Sequence, residues 1–312
     1  MTVIMGINLS DKIYIAADTR VSRIVGADIV TVHDNMLKVE NIRGTVIACA
    51  GDAALAAHII ASLRSGNLID RGIDTLRNSI EAWIASVCEE YWQKLGRTTH
   101  GTYIFAGRST QRRKRIPRAK MNSLLDSYFS NPELNGKPAS LKHGLANDIQ
   151  GKSEQLKTTY YDTKLFAVSV SHQGIQVDDA DWGQHLIYGP TGLDKSDVSP
   201  SDIARLEFSQ DDEKNSSIMM LPAYFYNMVK NRSLQGVSST VVPLEVNQNG
   251  DVYLRDGSIY TLEDIQEKQP TVKAISELKV IEDSLCRVED GQNYALQPLV
   301  ANEKDTLTSL II

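Results

Sequence analysis

Apolar residues along the chain follow two different spacings, and their order predicts the elements. Short β-rich runs come first: VIMGINL and KIYIAAD, with Ser10 and Asp11 supplying a tight turn between them. A second pair comes next, MLKVENI and GTVIACAGD, joined at Asn41–Gly44. The spacing then changes. From Ala53 to Leu63 and from Ile73 to Leu95 apolar side chains recur every three or four positions. Leu76, Ile80, Trp83, Ile84, Val87 and Tyr91 form one stripe, so two consecutive helices are predicted. Strand-like runs resume at GTYIFAG, KLFAVSV and GIQVDD, the last two joined by a turn at His172–Gly174. Helices after a block of strands point to an α+β protein rather than alternating βαβ units.

Two segments break this rhythm. Residues 108–162 open with RSTQRRKRIPRAK, which carries seven basic residues and no acidic one. The polar stretch after it reads as exposed loop or short helix. Beyond residue 256 the pattern is weaker. Thr261 and Asp264 suggest a capped helix ended by Pro270, and Val272 to Val288 a further helix. The expected organisation is a core over residues 2–256, interrupted by 108–162, and an extension over 257–312.

Composition narrows the class. The chain has 312 residues, 42% hydrophobic and 23% charged, with a net charge of -6, an ordinary globular balance. No stretch approaches the roughly 18 apolar residues of a membrane span, and the opening MTVIMGINLSDK has no basic, apolar leader. Three cysteines, Cys49, Cys88 and Cys286, form no disulfide framework and no zinc spacing. A reducing, cytoplasmic setting and no membrane partner are therefore expected. The six histidines have no metal-binding spacing, and no cofactor is expected.

Candidate chemistry sits at the front. Thr2 comes directly after Met1, whose removal would leave a free α-amine on Thr2. With a pKa of about 7.7–8.0 that amine can act as general base for its own hydroxyl. Met-Thr alone is a common beginning, but the residues downstream of it are more specific. TVIMGI, then Asp18 sixteen residues after Thr2, Arg20 two further on, Lys38 opening KVENI, and AGDAA at 50–54 fall in register. Together they resemble the opening of proteasome β-subunits, which are N-terminal-nucleophile hydrolases. GTYIFAG and the stretch KLFAVSVSHQGIQ to LIYGPTG resemble later strands of that family.

The resemblance implies a four-layer αββα sandwich and a threonine peptidase or amidohydrolase. It implies that Thr2 is the nucleophile and that Lys38 favours the nucleophile's reactive protonation state. Asp18 would hold Lys38, Arg20 would help fix that carboxylate, and the Gly51 N–H would meet the oxyanion. Val21, Cys49 and Ala53 would line a small-to-medium apolar specificity pocket, and Ser22 would bond an extended substrate backbone. For the back of the site it offers Thr191 or Gly192, and Ser238 or Ser239. It further implies a peptide or protein substrate, a homo-oligomeric ring and an unfoldase partner. The plain readings are a strand-end ion pair for Asp18–Arg20, a solvated edge lysine for Lys38 and an ordinary turn for Gly51.

Three alternatives stay open at this point. The same Thr2 chemistry serves acyl transfer or peptide ligation to an amine as well as hydrolysis. A non-catalytic scaffold would keep the fold and lose the free amine. A binding module would act through the basic run at 108–120 as a docking site for an acidic partner, the plain reading of that run being a solvated loop. That run has no aromatic residue to stack on bases, and the chain is acidic overall, which argues against nucleic acid.

Overall fold

The computed structural model describes residues 2–25, 28–110, 114–130, 149–151, 154, 156, 160–190, 193, 198–208, 236–238, 240–255, 259–262, 272–281 and 284–300. In chain order the elements begin with β1 (Ile4–Asn8), β2 (Lys12–Asp18), β3 (Val21–Val25), β4 (Asp28–His33), β5 (Met36–Leu37), β6 (Val39–Ile42) and β7 (Thr45–Gly51). Helices α1 (Ala53–Ser65) and α2 (Ile73–Leu95) come next, then β8 (Gly101–Arg108), β9 (Lys114–Arg115) and α3 (Arg118–Phe129). Strands β10 (Tyr160–Tyr161), β11 (Thr163–Ser171), β12 (Gly174–Ala180) and β13 (Gln184–Tyr188) precede α4 (Pro200–Phe208). The chain continues through β14 (Val241–Asn247), β15 (Val252–Leu254), β16 (Ile259–Leu262), β17 (Val272–Ile281), β18 (Ser284–Glu289), β19 (Gln292–Ala295) and β20 (Gln297–Pro298).

The protein is mixed α/β with several sheets. One five-stranded sheet has the order β13-β1-β2-β14-β15 and another β12-β11-β8-β7-β6, both antiparallel throughout. Local chemistry ends the elements where it should. Asn41 Oδ1 accepts from the Gly44 N–H at 3.0 Å in the β6–β7 turn, and Gly44 takes φ 82°, the region glycine enters freely. Asp52 caps α1 by accepting from the Leu55 N–H at 2.9 Å. Gly96 ends α2 in the left-handed conformation, its N–H donating to the Trp92 carbonyl.

Burial obeys the two spacings. Ile4, Ile13 and Ile15 of the first sheet share an apolar cluster with Val46, Ile104 and Leu165 of the second. A second cluster joins Ile47, Phe105 and Phe166 to Leu55, Leu76 and Ile80 of α1 and α2. A third joins Met5, Ile7 and Tyr14 to Met121 and Leu124 of α3 and Ile203 of α4. Strands covered on both faces read as continuous apolar runs, which is why VIMGINL and KIYIAAD show little alternation. No described helix is long and apolar enough to cross a membrane.

Three expectations change. The hairpin β3–β4 is an addition to the expected strands: its ladder pairs Ile24 with Ile29, and it forms a separate ribbon outside the two main sheets. Segment 108–162 is not merely exposed polar loop: Ile116, Met121, Leu124, Tyr128, Ile149 and Leu156 are buried in the third cluster. In the tail, Val272 to Val288 forms strands instead of a helix. β17 pairs with both β16 and β18, and its Val272, Ile275, Val280 and Ile281 are β-branched and suited to a ladder. Asp264 lies outside the described residues. Phe166 is fully buried and stacks on Phe105 at 5.1 Å. Phe166→Ala is expected to cost about 3–5 kcal/mol, read from the shift in a urea unfolding curve.

Candidate active site

Strand pairing gathers the front residues. β1 and β2 run antiparallel with Ile4 opposite Ala17, so the residues before β1 lie beside the end of β2. The Asp18 N–H donates to the Val3 carbonyl at 3.2 Å, and the Val3 N–H donates to Asp18 Oδ1 at 3.0 Å. Lys38 stands between β5 and β6, its carbonyl accepting from the Cys49 N–H at 2.9 Å. Its Nζ donates to Thr2 Oγ1 at 2.7 Å and Asp18 Oδ1 at 3.1 Å, and also to the Arg20 carbonyl. Thr2, Asp18 and Lys38 are only 8%, 0% and 5% exposed. Lys38 is not a solvated edge lysine.

The hydrogen bonding is saturated on both sides of this ion pair. An ammonium has three N–H donors, and each one here has an acceptor. Asp18 Oδ1 accepts from Val3 and Lys38, and Oδ2 from the N–H groups of Arg20 at 3.0 Å and Ser238 at 3.2 Å. Burial pulls the Lys38 pKa below the usual lysine value, and the Asp18 charge opposes that shift.

Arg20 acts on Asp18 through its backbone. Its guanidinium instead forks onto Asp34, with Nη2 donating to Oδ2 at 3.0 Å, and Nη1 reaches the Val237 carbonyl at 3.2 Å. Ser22 Oγ donates to the Gly236 carbonyl at 2.8 Å. Three consecutive residues, Gly236, Val237 and Ser238, are thus tied to Ser22, Arg20 and Asp18 respectively. The Ser238 hydroxyl accepts from the Thr240 N–H at 3.0 Å, so Ser238 reaches the site by its backbone. Thr191, Gly192 and Ser239 lie outside the described residues.

Two cavities meet at Thr2 and Gly51. The first, about 260 Å³, is lined by Val21, Ser22, Cys49 and Ala53, with Ala56 and Leu299. The second, about 570 Å³, is bordered by Ser169, Ser171, His100, His172 and Tyr188. Gly51 ends β7 at φ 103°, and a Cβ there would stand 2.5 Å from the His100 carbonyl oxygen. No side chain fits at that junction. Cys49 also lines the first cavity, and burial pushes its thiol pKa well up, away from the thiolate form. Among the described residues no group of three or more His, Cys, Asp or Glu is placed to hold a metal ion.

Sequence reasoning missed Asp34, Leu299 and the second cavity. Asp34 is a lone acid in a polar stretch, and Leu299 one apolar residue of a weakly patterned tail, so neither carried a signal.

Comparison with known proteins gives little. No family model matches the chain, and no curated protein does. Among solved structures the chain is similar to Anbu (ancestral beta-subunit) from Yersinia bercovieri, at 13% identity and TM-score 0.40, covering 78% of this chain and 81% of that one. It is similar also to an Anbu (Gly-1) mutant from Hyphomicrobium sp. strain MC1, at 13% identity and TM-score 0.41, covering 81% and 84%. These findings overturn the resemblance to proteasome β-subunits drawn from the opening motifs: the structural neighbours belong to a different family. Likeness this faint carries no argument about activity, which rests on the geometry alone.

Asp18→Ala would strand three backbone donors and a buried ammonium. A loss of about 3–5 kcal/mol is expected, against about 1 kcal/mol for the part-exposed Asp34→Ala. Urea midpoints of the two variants measure the contrast.

Proposed function

We propose that this chain is an amide hydrolase whose nucleophile is Thr2 after removal of Met1. The observation that carries the reading is the Lys38 ammonium, which donates to Thr2 Oγ1 at 2.7 Å with its other two N–H groups already engaged. A lysine spent in this way stabilises negative charge on the hydroxyl oxygen and cannot also accept its proton. The base must come from elsewhere, and the α-amine of an N-terminal Thr2 is attached to the same residue.

The reaction then has two steps. The α-amine takes the Oγ1 proton as Oγ1 bonds to the substrate carbonyl carbon. Collapse of the tetrahedral intermediate expels the amine, which takes up that proton, and leaves an ester on Thr2. Water next adds to the ester carbonyl, giving its proton to the α-amine. The acid departs, and the returned proton restores the hydroxyl. Gly51, at the junction of the two cavities, is our candidate for oxyanion contact through its N–H. The acyl side chain would enter the 260 Å³ cavity and the leaving amine the 570 Å³ one. The size and polar rim of the second cavity favour one further reading, transfer of the acyl group to an amine seated there in place of water.

The finer architecture belongs to the same proposal: two sheets face to face, with α1 and α2 covering one outer side and α3 and α4 the other. The three apolar clusters support it. Homo-oligomerisation, an unfoldase or acidic partner at 108–120 and a cytoplasmic setting remain proposals that accompany it.

A peptidyl epoxyketone, which needs both hydroxyl and free amine, tests the nucleophile by intact mass. Expected are loss of Met1 and one adduct, absent in Thr2→Ala; retained Met1, or no adduct on a protein without it, would count against the reading. Lys38→Ala is expected to slow labelling about 10²–10³-fold. Wild-type labelling should rise with pH as the α-amine loses its proton near 8. It should fall again as Lys38 loses its own proton, below the usual lysine value because burial lowers that pKa.

A further inference from the structure

One residue lining the first cavity, Leu299, comes from the far end of the chain. After β19 the chain re-enters the core. Leu296 is buried among Leu37, Val39, Leu278 and Leu285, and its N–H donates to the Leu285 carbonyl at 2.8 Å. The Gln297 N–H then donates to the Asn35 carbonyl at 2.7 Å. β20 lies parallel to β5, with Gln297 beside Met36 and Pro298 beside Leu37. Leu37 is the neighbour of Lys38. This short ladder delivers Leu299 to the cavity wall; Leu299 and Val300 both pack on the helix-side cluster, but Val300 does not line the cavity.

The other apolar linings are small or short: Val21, Cys49, Ala50, Ala53 and Ala56. Leu299 is the largest apolar side chain there. The polar lining is largely committed elsewhere: all three Lys38 donors are in use, and Asp52 Oδ1 caps α1. We infer that Leu299 is the specificity-determining wall of the site, held by the C-terminal extension beside Lys38, and that the enzyme takes acyl groups bearing a leucine-sized apolar side chain. The inference rests on the Thr2 reading above. In a hydrophobic pocket each methylene gained or lost changes selection by about 10–200-fold, so one leucine is enough to set preference.

The experiment measures second-order labelling rates of the full-length protein with three peptidyl epoxyketones whose terminal side chain is that of alanine, leucine or phenylalanine. Wild type is expected to favour leucine. Leu299→Ala should raise the phenylalanine-to-leucine ratio about tenfold. Leu299→Trp should lower the leucine rate about tenfold or more while changing the alanine rate less than about threefold. Val300→Ala should keep the wild-type ratios, which separates a cavity wall from general loosening of the extension. Thermal unfolding of each variant identifies misfolded protein, and either Leu299 variant alone suffices for the comparison. Unchanged ratios in folded Leu299 variants that still label would overturn the inference and leave the Thr2 reading standing. An equal shift in Val300→Ala would overturn it as well. No adduct on wild type lacking Met1 would overturn both.

Discussion

The Asp18 carboxylate organises the site. It sits fully buried at the end of β2 and accepts four hydrogen bonds, from the residue after Thr2, from Arg20, from Lys38 and from Ser238. The most distant of those donors, Ser238, lies 220 residues from Asp18 along the chain. A buried anion costs several kcal/mol unless its sites are filled, so the fold must bring all of these segments to one point. Once it does, the placement of Lys38 against Thr2 is a consequence. The same convergence ties residues 236–238 to Arg20 and Ser22, and Ser22 lines the first cavity.

The chemistry of the site is as much about what is silenced as what is enabled. Cys49 would be the stronger nucleophile if ionised, but its buried thiol is held neutral. Lys38 is drawn toward its neutral form by burial and held in its charged form by Asp18 and two further acceptors. The outcome of that contest is a donor directed at one hydroxyl oxygen. Geometry of this kind is pre-organised: the hydrogen bonds are made before substrate arrives and need no rearrangement as charge develops.

Much of the front of the site was legible in the sequence, because hairpins convert spacing into position. A strand, a turn and a returning strand place Val3 opposite Asp18 whatever else the chain does, and α2 matched its apolar stripe from Ile73 to Leu95. The rest was illegible for physical reasons. Ser238 is a candidate by its resemblance to a family serine, but it reaches Asp18 by a backbone N–H, a contact that leaves no residue signature. The helix expected over Val272–Val288 failed because its strands exist only through pairing, a tertiary effect that local spacing does not encode. The family name failed differently. Five short matches describe a local constellation, and chains with little else in common can share one.

The extension and segment 108–162 share a lesson about additions to a core. Both lack clean periodicity, yet each buries apolar residues in a main cluster: Met121, Leu124 and Tyr128 with Met5, Ile7 and Tyr14, and Leu285 and Leu296 with Ile4, Val46 and Leu165. A segment that only decorated the surface would gain too little from burial to offset the entropy of ordering it. Once a tail is anchored that firmly beside Lys38, its next residues are held at the cavity whether or not they serve it. Leu299 therefore stands at the wall at almost no additional ordering cost. Specificity can thus be set by a part of the chain that takes no part in the chemistry.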